Sequence, residues 1–182
     1  ESTVTKYMAR QPKSLSPTWR SFLKNHAGQI AAIDFFTVPT VTFRIFYVFI
    51  VLSHDRRKIV HLNVTAHPTA QWTAHQIRQA FPEESAPRFL IRDNDGIYGH
   101  AFQRQLDVMG IRDVRTAYRS PWQNAYAERV IGSIRRECLD HMIILNEKHL
   151  RKVVAEYVNY YNDVRPHLSL DRNAPIPRSP DP

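Results

Sequence analysis

The chain has 182 residues, 43% of them hydrophobic and 23% charged. That is enough for one ordinary domain with a buried core, and it excludes a disordered or fibrous protein. Lys and Arg number 25 against 17 Asp and Glu, a formal charge of +8, and 19 of the 25 cations are Arg. The pI of about 9.9 and the arginine bias suit a polyanionic partner, most commonly nucleic acid, and composition alone weighs that about equally with a merely basic soluble protein.

The single cysteine, Cys138, excludes a disulfide framework and any Cys-based zinc finger, and the nine histidines show no HExxH pattern. The chain therefore reads as intracellular. The longest apolar run, 45–52, is far short of the ~18 residues of a membrane span. A first residue of Glu1 fits a piece of a longer protein.

In chain order, residues 1–27 are polar, basic and broken by Pro12 and Pro17. Residues 3–10 could close a helix and 19–23 form a short amphipathic turn, so this segment reads as a linker following something upstream. Residues 29–38 alternate as a strand, with Asp34 on the same side as Ile30, Ala32 and Phe36. Residues 43–53 are nearly all apolar, as in a strand covered on both faces. Residues 58–65 alternate again, and short turns join the three into an antiparallel meander.

A helix over 69–81 ends at Pro82. A short buried strand over 88–92 runs into the turn Asp93-Asn94-Asp95-Gly96. A helix over 102–109 stops at Gly110, and 111–116 is the fifth strand. Ser120, Pro121 and Gln123 together make a helix start with a capping box. The helix that follows has Ala127, Ile131, Ile134, Cys138 and Met142 near one stripe. The last helix, 146–161, carries Leu150, Val153, Val154, Tyr157, Val158 and Tyr161 at helical spacing. From Arg165 the chain is Pro-rich and reads as extended. The expected fold is α/β, a five-stranded mixed sheet (antiparallel meander plus parallel strands) with helices on both faces.

Three carboxylates stand out. Asp34 lies mid-strand in an apolar run, where it needs a cation, donors or a raised pKa; a salt bridge to Arg44 or Arg57 is the ordinary alternative. Asp93 closes a strand and enters a turn, a place where sites are built and also where turn-forming Asp is common. Asp95, just before Gly96, fits the turn role better. Glu128 shares a helix face with Asn124, Gly132 and Arg135, which alone would be an ordinary solvated face.

Together, Asp34 in AIDFFT, Asp93 in FLIRDND and Glu128 in SPWQNAYAERVIGSIRREC, with 34 residues between Asp93 and Glu128, resemble the DDE catalytic core of transposases and retroviral integrases. The nearest resemblance is to the integrase-core transposases of bacterial insertion sequences, and YYNDVRPHLSL is similar to the tail that follows the core there. The resemblance spans about 29–177. Two departures are visible. Asn94-Asp95-Gly96 stands where relatives often have Asn-Gly or Arg-Gly, which makes Asp95 a rival; Tyr98, five residues after Asp93, and the spacing to Glu128 favour Asp93. Retroviral relatives place Lys on the Glu helix, whereas here the +4 position is Gly132 and the +7 position Arg135, one cation rather than two.

The resemblance implies a ribonuclease H-like fold, with a catalytic core over 28–164, a Pro-rich tail over 165–182, and 1–27 as linker and end of an upstream DNA-binding region. It implies that Asp34, Asp93 and Glu128 hold two Mg²⁺ ions, with Mn²⁺ as a substitute. Asp34 would bridge both ions, Asp93 serve the attacking oxygen and Glu128 the leaving one, the last two being exchangeable between steps. The implied partners are double-stranded DNA, as element ends and target, and further copies of the chain. Arg119, Asn124, Arg129, Arg135 and Arg136 are the candidate DNA contacts. Trp122 packs under its loop or stacks on a base; His141 and His167 are structural or near DNA. A DNA-binding remnant without activity and a plain nuclease of the same fold are the competing functional readings.

Overall fold

A computed structural model describes residues 17–82, 85–118 and 120–177. The helix expected over 3–10, Arg119 and residues 178–182 lie outside them. One five-stranded sheet, in the order β3-β2-β1-β4-β5, is built from β1 (Ile30–Pro39), β2 (Ile45–Ser53), β3 (Ile59–Thr65), β4 (Phe89–Arg92) and β5 (Arg112–Arg115). The first three form the expected antiparallel meander, while β4 and β5 run parallel to β1.

The helices are α1 (Pro17–Asn25), α2 (Ala70–Ala80), α3 (His100–Val108), α4 (Ala125–Glu137) and α5 (Glu147–Asn159). Strand alternation sorts them onto two faces. Ala31 and Ile33 of β1 meet Ile77 of α2 with Phe102 and Leu106 of α3. Phe36 and Val38 meet Val130, Ile131 and Ile134 of α4 with Leu150, Val153 and Val154 of α5. Ile30 and Ala32 lie against Ala127 of α4. Asp34 shares the parity of the second set, so it belongs to the α4 face.

Four local expectations change. The short turn at 19–23 is a nine-residue helix, because Trp19, Phe22 and Leu23 share one side and pack on Ile30, Phe89 and Ile91. The capping box at Ser120 does not form: Ser120 makes no side-chain cap, Pro121–Asn124 is a 3₁₀ turn, and Gln123 Oε1 accepts instead from the Ala117 N–H at 2.6 Å. Helix α4 therefore starts at Ala125, and after it ends Met142 lies beyond a second 3₁₀ turn, 44% exposed rather than in the apolar stripe.

The tail is not extended throughout. It turns at Leu168–Leu170 and passes through left-handed Asp171 and Arg172 (φ 53° and 64°). It then returns so that Arg56 donates to the carbonyls of Ala174 and Pro175. Buried Asn162 fastens this region to the sheet edge, accepting from the Ile59 N–H at 3.0 Å and donating to the Ile59 carbonyl at 2.9 Å. The amide thereby replaces a missing strand partner for β3.

Candidate active site

The β1–β4 register pairs Ile30 with Phe89, Ala31 with Leu90 and Ala32 with Ile91. Carried two residues further, it sets Asp34 beside Asp93, about one strand spacing (~4.8 Å) away between backbones. Both alternate onto the face covered by α4, which carries Glu128 in its first turn. The three carboxylates line one open cleft of about 320 Å³ with Asn94, Asp95, Thr116, Ala117, Tyr118, Ser120 and Asn124.

Asp34 is half-buried, and neither expected cation reaches it. Arg57 stacks 4.5 Å over the Tyr126 ring and donates to Ser169 Oγ, while Arg44 lies 5.8 Å over Phe46. Among the described residues its one direct donor is the Phe35 N–H, 2.8 Å from Oδ1. Burial first, opposed by that N–H bond, and then Glu128, Asp93 and Asp95 together raise the Asp34 carboxyl to about 7. Glu128 is also raised, by burial and then by Asp93. Carboxylates that hold each other's protons in this way call for a cation.

Asp93 is exposed, and its turn is made locally: Asp93 Oδ1 accepts from the Asp95 N–H at 3.2 Å, and Asp95 Oδ1 from the Ile97 N–H at 3.0 Å. Asp95 thus serves the turn and still stands in the cleft wall. Asn94 ties the loop to β5 by donating to the Thr116 carbonyl at 2.8 Å.

Arg92 is the residue that sequence reasoning missed. It is 2% exposed and forms a bidentate pair with Asp113 of β5 at 2.9 and 2.7 Å. Its Nη1 donates to the Asp93 carbonyl at 2.8 Å, and its guanidinium lies 4.9 Å over Tyr98 and 5.6 Å over Phe102. An arginine closing an otherwise apolar four-residue strand was the available signal. Tyr98, expected as the marker aromatic after Asp93, is buried between Phe35 and Phe102.

The candidate DNA contacts divide. Asn124 is 4% exposed; its Nδ2 donates to the Ile33 carbonyl at 3.1 Å, which anchors α4 to β1, and the residue also borders the cleft. Arg129 is exposed on a flank of α4 and acts electrostatically on Tyr161. Arg135 is exposed, donates to the Thr37 carbonyl at 3.3 Å and lies 5.4 Å over Phe36. Arg136 is exposed and folds back over Gly132. Trp122 is half-buried in its loop. His141 bonds to the Arg136 carbonyl, and buried His167 packs on Tyr161, so both serve structure.

The fit of this site to a divalent cation rests on its donor set. The carboxylates of Asp34, Asp93 and Glu128 line the cleft beside amides and hydroxyls, and carboxylate oxygen is the hard donor that Mg²⁺ prefers; Asp34 and Glu128 are both held toward the protonated form, first by burial and then by neighbouring carboxylates. Among the described residues no three such side chains are gathered at metal-holding distance, so the donor chemistry fits a divalent cation while the spacing does not yet close around one.

Residues 109–175 match the family described as integrase core domain. A 39.2 kDa protein of insertion element IS476 from Xanthomonas euvesicatoria is 25% identical over 93% of this chain and 53% of its own length. Transposase InsD of insertion element IS2 from Escherichia coli is 30% identical over 50% of this chain and 31% of its own. The chain thus spans about half the length of the first of these relatives and less of the second.

Among solved structures, the HTLV-2 integrase catalytic core domain in complex with magnesium superposes with a TM-score of 0.60 at 14% identity, over 77% of this chain and 88% of that one. The catalytic domain of Mos1 mariner transposase gives 0.65 at 12%, over 81% and 84%. These likenesses establish the ribonuclease H-like fold. No described helix is long and apolar enough to cross a membrane. The integrase-core match over 109–175, the insertion-element relatives and the shared fold agree in making this chain similar to the cores of transposases and integrases.

Proposed function

We propose that this chain cuts DNA strands and transfers the freed ends to a second duplex, as the catalytic part of a bacterial transposase. The observation that carries the reading is the convergence of Asp34, Asp93 and Glu128 on one cleft from a central strand, a parallel neighbour and a covering helix. The insertion-element relatives support DNA transposition as the process served.

Asp34, Asp93 and Glu128 would hold a pair of Mg²⁺ ions, or Mn²⁺ in their place, which when bound activate an attacking oxygen and stabilise a leaving one. The chain's own residues do the rest. Asp34 is fixed on the sheet with its Oδ1 held by the Phe35 N–H. Asp93 is fixed through its carbonyl by Arg92. Glu128 is carried in the first turn of α4, which Asn124 ties to the Ile33 carbonyl. Arg135 and Arg136, beyond Glu128 on α4, would hold phosphates on either side of the reacting bond. In the first step water attacks a phosphodiester at the element end, breaking the P–O3′ bond and leaving a 3′-OH. In the second that 3′-OH attacks a target phosphodiester and displaces its 3′ oxygen. Joining two ends in one event requires at least two protomers on the DNA.

The test is incubation with duplexes carrying the element's ends and a supercoiled target plasmid, with Mg²⁺, Mn²⁺ or EDTA. Metal-dependent joining of a 3′-OH end to the plasmid supports the reading. Nicking without joining indicates a plain nuclease, and binding without either indicates a DNA-binding remnant; each would overturn it.

A further inference from the structure

Helix α4 has a glycine in its interior, Gly132, where a glycine weakens a helix relative to alanine. Its surroundings give a reason. A Cβ placed on Gly132 would stand 2.9 Å from Arg136 Nη1 and 3.6 Å from both Cζ and Nη2. The guanidinium of Arg136 thus lies against the bare Cα of Gly132, folded one turn toward the start of the helix, the direction in which helical side chains lean. Glu128, Gly132 and Arg136 stand four residues apart in one row, so the charge arrives about one turn, ~5.4 Å along the axis, from the residue that carries the Glu128 carboxylate. Arg136 is exposed and forms none of the ion pairs found among the described residues.

We propose that Gly132 is a notch that seats the Arg136 guanidinium as a phosphate-binding cation beside the Glu128 end of the cleft. Gly132 is the positioning residue and Arg136 the DNA contact. Arg136 thereby supplies, from eight residues away, a second cation on the face where spacing alone counts only Arg135. A planar fork held flat against the helix is pre-organised for a phosphate in a way that a free surface arginine is not. The inference rests on the DNA-processing reading above.

The test compares Gly132→Ala, Arg136→Ala and the double variant with wild type, using a labelled duplex of about 40 base pairs of arbitrary sequence across a salt series, with thermal denaturation in parallel. A methyl on Gly132 displaces only the mobile end of a side chain, so Gly132→Ala should raise the thermal midpoint by ~2 °C while weakening binding about fivefold. Arg136→Ala should lower the salt slope by about one, and adding Gly132→Ala to it should cause no further loss. Unchanged binding in Gly132→Ala, additive losses in the double variant, or a fall in the thermal midpoint of Gly132→Ala would each overturn the inference, the last because the glycine would then serve packing. If wild type shows no salt-dependent duplex binding and no metal-dependent nicking, the parent reading fails instead.

Discussion

Replacing Asp34 by Asn should stabilise the metal-free protein, and by an amount that depends on pH. Burial, then Glu128 and Asp93, raise the Asp34 carboxyl from 3.8 to about 7. Below pH ~4 the acid is protonated in both the folded and unfolded chain and adds nothing. Between about 4 and 7 the unfolded chain gives up its proton first, so wild type loses stability as pH rises, and the full loss is present above 7. Three pKa units at ~1.36 kcal/mol each set a ceiling of about 4 kcal/mol. Asn keeps the acceptor for the Phe35 N–H, and whatever its new N–H₂ costs is constant with pH. The variant should therefore gain on wild type by up to ~4 kcal/mol between pH 4 and pH 8. Urea denaturation in EDTA at several pH values measures this, and the variant should be inactive throughout. A difference that is flat with pH, or an unfolded variant, would refute the account of Asp34 as a destabilised carboxylate waiting for a cation.

Arg92→Met should cost ~1–3 kcal/mol in denaturant unfolding, because Asp113 keeps Arg115 but loses its buried partner and the Asp93 carbonyl is freed, and it should lower metal-dependent cleavage without removing any acid. Asn162→Ala leaves the N–H and carbonyl of Ile59 without partners in a buried place. It should cost ~2–4 kcal/mol, with hydrogen exchange at Ile59 accelerated ahead of the sheet interior. Arg135→Ala should weaken duplex binding across sequences and reduce the salt slope by about one, with Mg²⁺ affinity, followed by calorimetry, nearly unchanged.

What the sequence made legible was what repeats locally. Alternation over 29–38 and 58–65 and the apolar block 43–53 each found a strand, and helical spacing over 146–161 found α5. Asp34 was visible because it broke a local rule, and the family pattern joined Asp93 and Glu128 to it. What escaped was decided at a distance. Asn162 meets Ile59 across 103 residues of chain, and Arg92 meets Asp113 across 21; no window of sequence contains both partners. Gln123 had the right spacing for a capping box, but the Ala117 N–H offered a bond that the preceding loop brought closer. The tail was read as extended from its prolines, although its course is set by Arg56, 118 and 119 residues away.

The remaining prediction follows from how β1 ends. Its pairing with β4 stops at Ala32, whereas β2 follows it to Pro39. Past Ala32 one edge of β1 has lost its strand, and buried backbone groups left there need partners. Side chains supply them: Asn124 takes the Ile33 carbonyl, Asp34 its own neighbour's Phe35 N–H, and Arg135 the Thr37 carbonyl. Asn124 and Arg135 stand four residues before and seven after Glu128, so α4 is pinned on both sides of Glu128 to the edge that carries Asp34. The opening that admits a substrate and the fastening that aligns its acids are therefore one feature. Asn124→Ala removes the inner pin and leaves the Ile33 carbonyl unpaired. It should cost ~1–3 kcal/mol, and by loosening Glu128 it should lower metal-dependent cleavage ~10–100-fold while duplex affinity, which rests on the outer arginines, holds. Asn124→Ser, a shorter donor, should recover part of the rate. If Asn124→Ala instead loses DNA affinity and keeps its cleavage rate on bound DNA, Asn124 acts on the substrate and the pin is not what aligns the site.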